Sequence, residues 1–158
     1  MSELELTVEA LKQCVSPEEF ERAMKRISRR ERLGGAAWEG NAENREQKIR
    51  EILLEVGVPA AIRGYRYAAT AIGLLLEEPE LAEAITKELY PRVAMIHNST
   101  YSRVERAIRH GIEVAWERGD MDVHYRFFRN SVSGEKGKPT NSEFLTRIAD
   151  LVRDRMGM

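Results

Sequence analysis

Apolar residues recur every three or four positions along most of the chain, and no stretch of useful length alternates apolar with polar. Leu4, Val8, Leu11 and Val15 form one helical face, which ends before Ser16-Pro17. Ser16 as an N-cap, Pro17 at the first helical position and Glu19 as its reciprocal partner then start a second short helix. Phe20, Ala23, Met24 and Ile27 carry its stripe, and the basic residues from Lys25 to Arg32 suit its C-terminus. Residues 1–34 therefore read as a two-helix appendage, stopped by Gly34-Gly35, and residues 35–46 read as a linker.

From about Glu43 onward the helical period resumes. Ile49, Ile52, Leu53 and Val56 form a face that ends at Gly57 and Pro59; Ala61, Tyr65, Ala68, Ile72 and Leu75 form the next, ending near Glu78-Pro79. Leu81, Ile85 and Leu89 lead into a segment where Pro91 marks a break or a start. A long helix is predicted from about Ser102 to Arg118, a short one over 121–131, and a last one behind a Thr140/Glu143 capping box, burying Phe144, Ile148, Leu151 and Val152. The fold class is all-α: a compact bundle of about six helices over 47–156, preceded by the two short N-terminal helices.

Within that bundle, residues 91–119 meet the requirements of a helix-turn-helix. Such a unit needs a small residue where its helices touch, here Ala94. Four residues on, it needs a turn residue tolerant of left-handed backbone, here Asn98. Val93 anchors the first helix; Val104, Ala107 and Ile108 anchor the second. At 100° per residue, Val104, Ala107, Ile108, Gly111, Ile112, Val114 and Ala115 share one arc, with Trp116 the exception. Ser102, Arg103, Glu105, Arg106, Arg109, His110, Glu113 and Glu117 fill the opposite one. Outward residues near the start of the second helix reach base edges in the major groove. An arginine fork matches the two acceptors of guanine, and a glutamate accepts from the cytosine amino group.

Composition narrows the function classes. The 158 residues carry a net charge of −1, and hydrophobic residues make up 42%. The charge is uneven: −2 over residues 1–46, −2 over 47–91 and +3 over 92–158. A basic C-terminal third is the side expected to face a polyanion. No apolar run approaches a membrane span and no leader opens the chain, so no membrane association and a cytoplasmic location are expected. The single Cys14 excludes an intramolecular disulfide and reads as a packed thiol. His97, His110 and His124 lack carboxylate or cysteine neighbours at ligand spacing, so neither a metal nor a cofactor is expected. The acids Glu77, Glu78 and Glu80 read as ordinary partners of helix ends rather than a catalytic pair, and no nucleophile–base arrangement or nucleotide loop occurs. An enzyme is not expected. Lys136 and Lys138, in a glycine-flanked loop, are suited to phosphate, whereas the basic run over 25–32 reads as a solvated helix end.

The run NSTYSRVERAIRHGIEVAWERG, with EVGVPAAIRGYRYAATAI and AITKELYPRVA upstream and KPTNSEFLTRIADLVR downstream, closely resembles the C-terminal effector domain of the stage-zero sporulation protein A family. That family is the response regulator that initiates endospore formation. The resemblance runs from about Ile49 to about Arg153. It implies a six-helix DNA-binding domain that reads short boxes resembling TGTCGAA, often as head-to-tail pairs bound by two copies, with RNA polymerase a further candidate partner. It places base reading on Glu105, Arg106 and Arg109, and leaves Ser99, Thr100, Tyr101, Ser102, Arg103, His110, Lys136 and Lys138 to contact or support the DNA backbone.

Three positions depart from the family's habit. His97 replaces a bulkier apolar residue, Tyr101 stands where a small residue is usual, and Gly111 replaces alanine. The family also carries an aspartate-rich phosphoacceptor receiver, but no aspartate precedes Asp120 here, so phosphoacceptor control within this chain is not expected. The apolar faces of the two N-terminal helices are expected to bury against the body or a second copy, away from Arg106 and Arg109. The alternative to a DNA-binding regulator is an interaction protein that docks on a full-length regulator or another partner and modulates it.

Overall fold

The computed structural model describes Glu18 and residues 35–129 and 137–158; side chains are described at Glu18 and from Glu43 onward. The two helices expected over 1–34, with Cys14 and the basic run 25–32, fall outside the described residues, as does Lys136. The chain divides into two compact units, Met1–Glu43 and Asn44–Met158.

Six α-helices are present among the described residues, with no strand: α1 Gly35–Val56, α2 Arg63–Glu77, α3 Tyr90–Ile96, α4 Tyr101–Arg118, α5 Met121–Phe128 and α6 Asn141–Met156. Residues 35–46, expected as a linker, are instead the first part of α1. The stretch holds Ala36, Ala37, Ala42, Glu39, Glu43 and Glu46, strong helix formers that outweigh the two glycines at 35 and 40.

Ile49, Ile52, Leu53 and Val56 of α1 are all buried, as their spacing predicts. The helix ends where Gly57 takes φ +106°, and Val58 N–H reaches back to Leu53 O at 3.0 Å, closing the orphan carbonyls. Helix α2 packs on both α4 and α6. The segment between α2 and α3 is not one helix but a 3₁₀ turn, Pro79–Glu83, and a π turn, Ile85–Leu89. Proline 91 explains the register change: without an N–H it cannot donate to Lys87 O, and the preceding Leu89 N–H reaches five residues back to Ala84 O at 3.1 Å. Glu78, buried at the end of α2, pairs with Arg92 of α3 and ties this turn to the next helix.

Helix α6 starts at the expected Thr140/Glu143 pair, though the carboxylate meets the cap's hydroxyl rather than its backbone N–H: the Thr140 hydroxyl accepts from Glu143 N–H at 3.2 Å and donates to the Glu143 carboxylate at 3.1 Å. It buries Phe144, Leu145, Ile148, Ala149 and Val152. Its arginines also serve as caps for neighbouring helices: Arg153 donates to Leu75 O in the last turn of α2 (2.8 Å), and Arg147 donates to Phe127 O in the last turn of α5. Phe128 and Phe144 stack at 5.6 Å, with Trp116 edge-on to both. Trp116, the exception on α4 by periodicity, therefore covers the margin of the core; it also stacks on His124 at 4.0 Å. The buried His124 ring donates through Nε2 to Val56 O at 2.7 Å.

Gly111 sits where α4 faces the α1–α2 connection. A methyl added there would lie 3.5 Å from Val58 Cγ1 and 3.7 Å from Ile62 Cδ1, ordinary contact distances. Gly111→Ala is therefore expected to stabilise the protein by about 0.5–1 kcal/mol through helix propensity. Urea unfolding with an unchanged m-value checks this; a lower midpoint would mean the site is tighter than it looks.

Candidate nucleic-acid interface

The helix-turn-helix is formed by α3 and α4. Ala94 is buried between them, Val93 and Val104 are fully buried, and Ile108 is 1% exposed. Asn98 adopts φ +51°, the positive φ of a non-glycine residue among those described. Around it, Ser99 N–H reaches Ala94 O at 2.7 Å and Asn98 N–H reaches Met95 O at 3.3 Å, a Schellman closure of α3. Asparagine tolerates this geometry, so the turn is both tight and specified. Thr100 then caps α4, its hydroxyl accepting from Arg103 N–H at 3.3 Å.

The rest of the turn is pinned from α2. The Tyr67 hydroxyl donates to Ser99 Oγ at 3.2 Å, so Ser99 is held within the fold. His97 Nε2 and Thr70 Oγ1 lie 2.7 Å apart, and the imidazole meets Tyr67 edge-on at 5.0 Å. The polar histidine thus fills the place of an apolar residue by acquiring a hydrogen bond and an aromatic wall. Burial, and secondly the Arg66 charge, push the His97 pKa below the ordinary value of 6.5. Since the unfolded chain takes up the proton first, the stability due to neutral His97 is full above about pH 6.5. It is lost as pH falls below that value and levels off beneath the folded-state pKa. Thermal melts of wild type and His97→Leu between about pH 7.5 and pH 5 should show the smaller acid-side loss in the variant; equal losses would remove His97 from the pH response.

The apolar arc of α4 behaves as its period predicts: Val104, Ile108, Gly111, Ile112 and Ala115 are buried, while Ala107 and Val114 are half-buried. On the opposite arc Ser102, Arg103, Arg106, Arg109 and His110 are exposed. Glu105 and Arg109 form an ion pair at 3.0 Å, their side chains 28% and 54% exposed. Arg106, between them in sequence, is exposed. The three residues expected to read bases thus occupy neighbouring outward positions on two turns, one arginine held by the glutamate.

Tyr101 is 40% exposed at the first position of α4, its ring edge-on to the buried Tyr90 at 5.6 Å. Lys138 is exposed, but it lies 3.8 Å from the Glu113 carboxylate on α4 rather than standing apart. A cleft of about 570 Å³ runs along this side, lined among others by Tyr90, Tyr101, Glu105, Arg109, Lys138 and Asn141. Asn141, the first residue of α6, donates through Nδ2 to the Glu105 carbonyl at 3.0 Å. No sequence signal singles out this contact, because it joins residues far apart in the chain.

No helix among the described residues is long and apolar enough to cross a membrane. The family model described as sporulation initiation factor Spo0A C terminal matches residues 49–152, well over half of the chain. It is a family of DNA-binding domains acting in sporulation as response-regulator effectors. The chain belongs to the family of the C-terminal domain of sporulation initiation factor Spo0A.

Proposed function

We propose that this protein reads short TGTCGAA-like boxes in double-stranded DNA, with α4 in the major groove and Glu105, Arg106 and Arg109 on base edges. The observation that carries the reading is the outward trio on a capped helix whose opposite face is packed into the core through Val104, Ile108, Ile112 and Ala115. Ser102, Arg103 and His110, exposed on the same side, are placed to meet the backbone, with Tyr101 at the helix start. Thr100 supports the turn as the cap of α4, and Ser99 through its bond to Tyr67. Lys138 reaches phosphate in this reading by exchanging its Glu113 partner, an exposed pair of little energetic consequence.

The reading assigns no phosphoacceptor to residues 1–119, which contain no aspartate. One helix-turn-helix makes few contacts, so two copies are expected to occupy head-to-tail boxes cooperatively, and RNA polymerase is the partner a promoter-bound regulator would address. Footprinting on a fragment with one box tests the proposal. Protection confined to the box is expected, appearing at lower protein concentration when a second box follows in tandem. No protection at all would favour an adaptor that modulates another regulator, and uniform protection would mean that α4 does not read sequence.

A further inference from the structure

The recognition helix is held by two kinds of contact that differ in what they fix. Val104, Ile108, Ile112 and Ala115 set its depth in the bundle, but apolar contacts are non-directional and tolerate small rotations and slides. A hydrogen bond is directional and fixes a chosen peptide. Asn141 supplies one at a telling place: its Nδ2 lies 3.0 Å from the carbonyl of Glu105, the peptide of a residue assigned to base reading. The same residue lines the cleft beside Tyr90, which is 4% exposed at the first position of α3. A single amide therefore joins the start of α6 to the base-reading turn of α4.

We infer that Asn141 is a positioning residue for sequence recognition, fixing the axial and rotational seat of α4 through the Glu105 carbonyl. This rests on the assignment of α4 as the recognition helix. Base-edge hydrogen bonds require placement within about 0.5 Å and 10–20°, whereas attraction to phosphate tolerates far more. Loss of the Asn141 bond should consequently reduce discrimination while leaving non-specific binding nearly intact.

The test is equilibrium binding of the full chain to a duplex carrying one TGTCGAA box and to the same duplex with the box shuffled, alongside thermal melts. Asn141→Ala is expected to lower affinity for the box about tenfold, with binding to the shuffled duplex unchanged within about twofold. Asn141→Asp is the second variant. It keeps the side-chain shape and suits the N-terminus of α6, but it has no N–H to give the carbonyl. Its added charge should weaken binding to both duplexes, and the ratio between them should still collapse. A purely structural role would lower the melting temperature and both affinities in parallel, leaving the ratio intact; that result in either variant overturns the inference. A wild-type chain with no preference for the box overturns the recognition-helix assignment and this inference with it. A wild-type preference that survives in both variants overturns this inference alone.

Discussion

Gly64→Ala is expected to destabilise the fold by at least about 3 kcal/mol, although it adds one methyl group to a helix. A Cβ at Gly64 would sit 2.2 Å from the Ala107 carbonyl oxygen and 3.0 Å from its carbon, with Gly111 Cα at 3.5 Å. The obstacle is backbone of α4, so no rotamer change relieves it. The two helices would have to separate by roughly 1 Å, opening contacts along the whole α2–α4 seam. Gly73, in the same helix, has nothing within 4 Å of its hypothetical Cβ. Gly73→Ala should therefore stabilise by about 0.5–1 kcal/mol, the ordinary gain from replacing glycine in a helix. Denaturant melts of the two variants should move in opposite directions. A tolerated Gly64→Ala would mean that α2 and α4 do not cross this closely.

The second large effect concerns DNA. Arg106→Ala and Arg109→Ala should each cost about 1–3 kcal/mol on a cognate box, with relaxed discrimination at one base pair apiece. Their environments make the two losses unequal. Arg106 is exposed and its removal takes away only its own contact. Arg109 is paired with Glu105 at 3.0 Å, and its removal leaves that carboxylate facing the negative DNA without a counter-charge. Arg109→Ala is thus expected to be the more damaging, and its effect to be non-additive with that of Glu105→Ala in a double variant. Lys138→Ala should instead weaken box and shuffled duplex alike and reduce the salt slope by about one. Single-base-substituted duplexes measured against each variant check this pattern; arginine variants with unchanged base preference would take α4 out of the major groove.

What the sequence made legible was local. Ala94, Asn98, Val104 and Ile108 sit at fixed spacings within one supersecondary unit, so the sequence locates the turn, and Asn98 does take positive φ. Thr140 and Glu143 are three residues apart, and Thr140 does cap the helix by accepting from Glu143 N–H. The misreadings come from competition between local rules. Gly34-Gly35 reads as a breaker with a linker behind it, yet the alanines and glutamates that follow form a helix from Gly35. Periodicity ran straight through 81–89, whereas Pro91 forces a π turn just ahead of α3. What stayed hidden was contact between distant segments. Nothing in the sequence pairs Gly64 with Ala107, Lys138 with Glu113, or Asn141 with the Glu105 carbonyl. The cost of Gly111 was visible from helix propensity, but the room for a methyl beside Val58 and Ile62 was not.

Base reading by α4 is tested most directly by a salt titration of the wild-type chain on a TGTCGAA duplex and on its shuffled counterpart. Phosphate contacts should give both duplexes a similar linear fall of log affinity with log salt. Base contacts by Glu105, Arg106 and Arg109 should hold the cognate line above the other by at least about tenfold at every salt concentration. Two coincident lines would contradict it, because they would leave the outward face of α4 with charge but no readout.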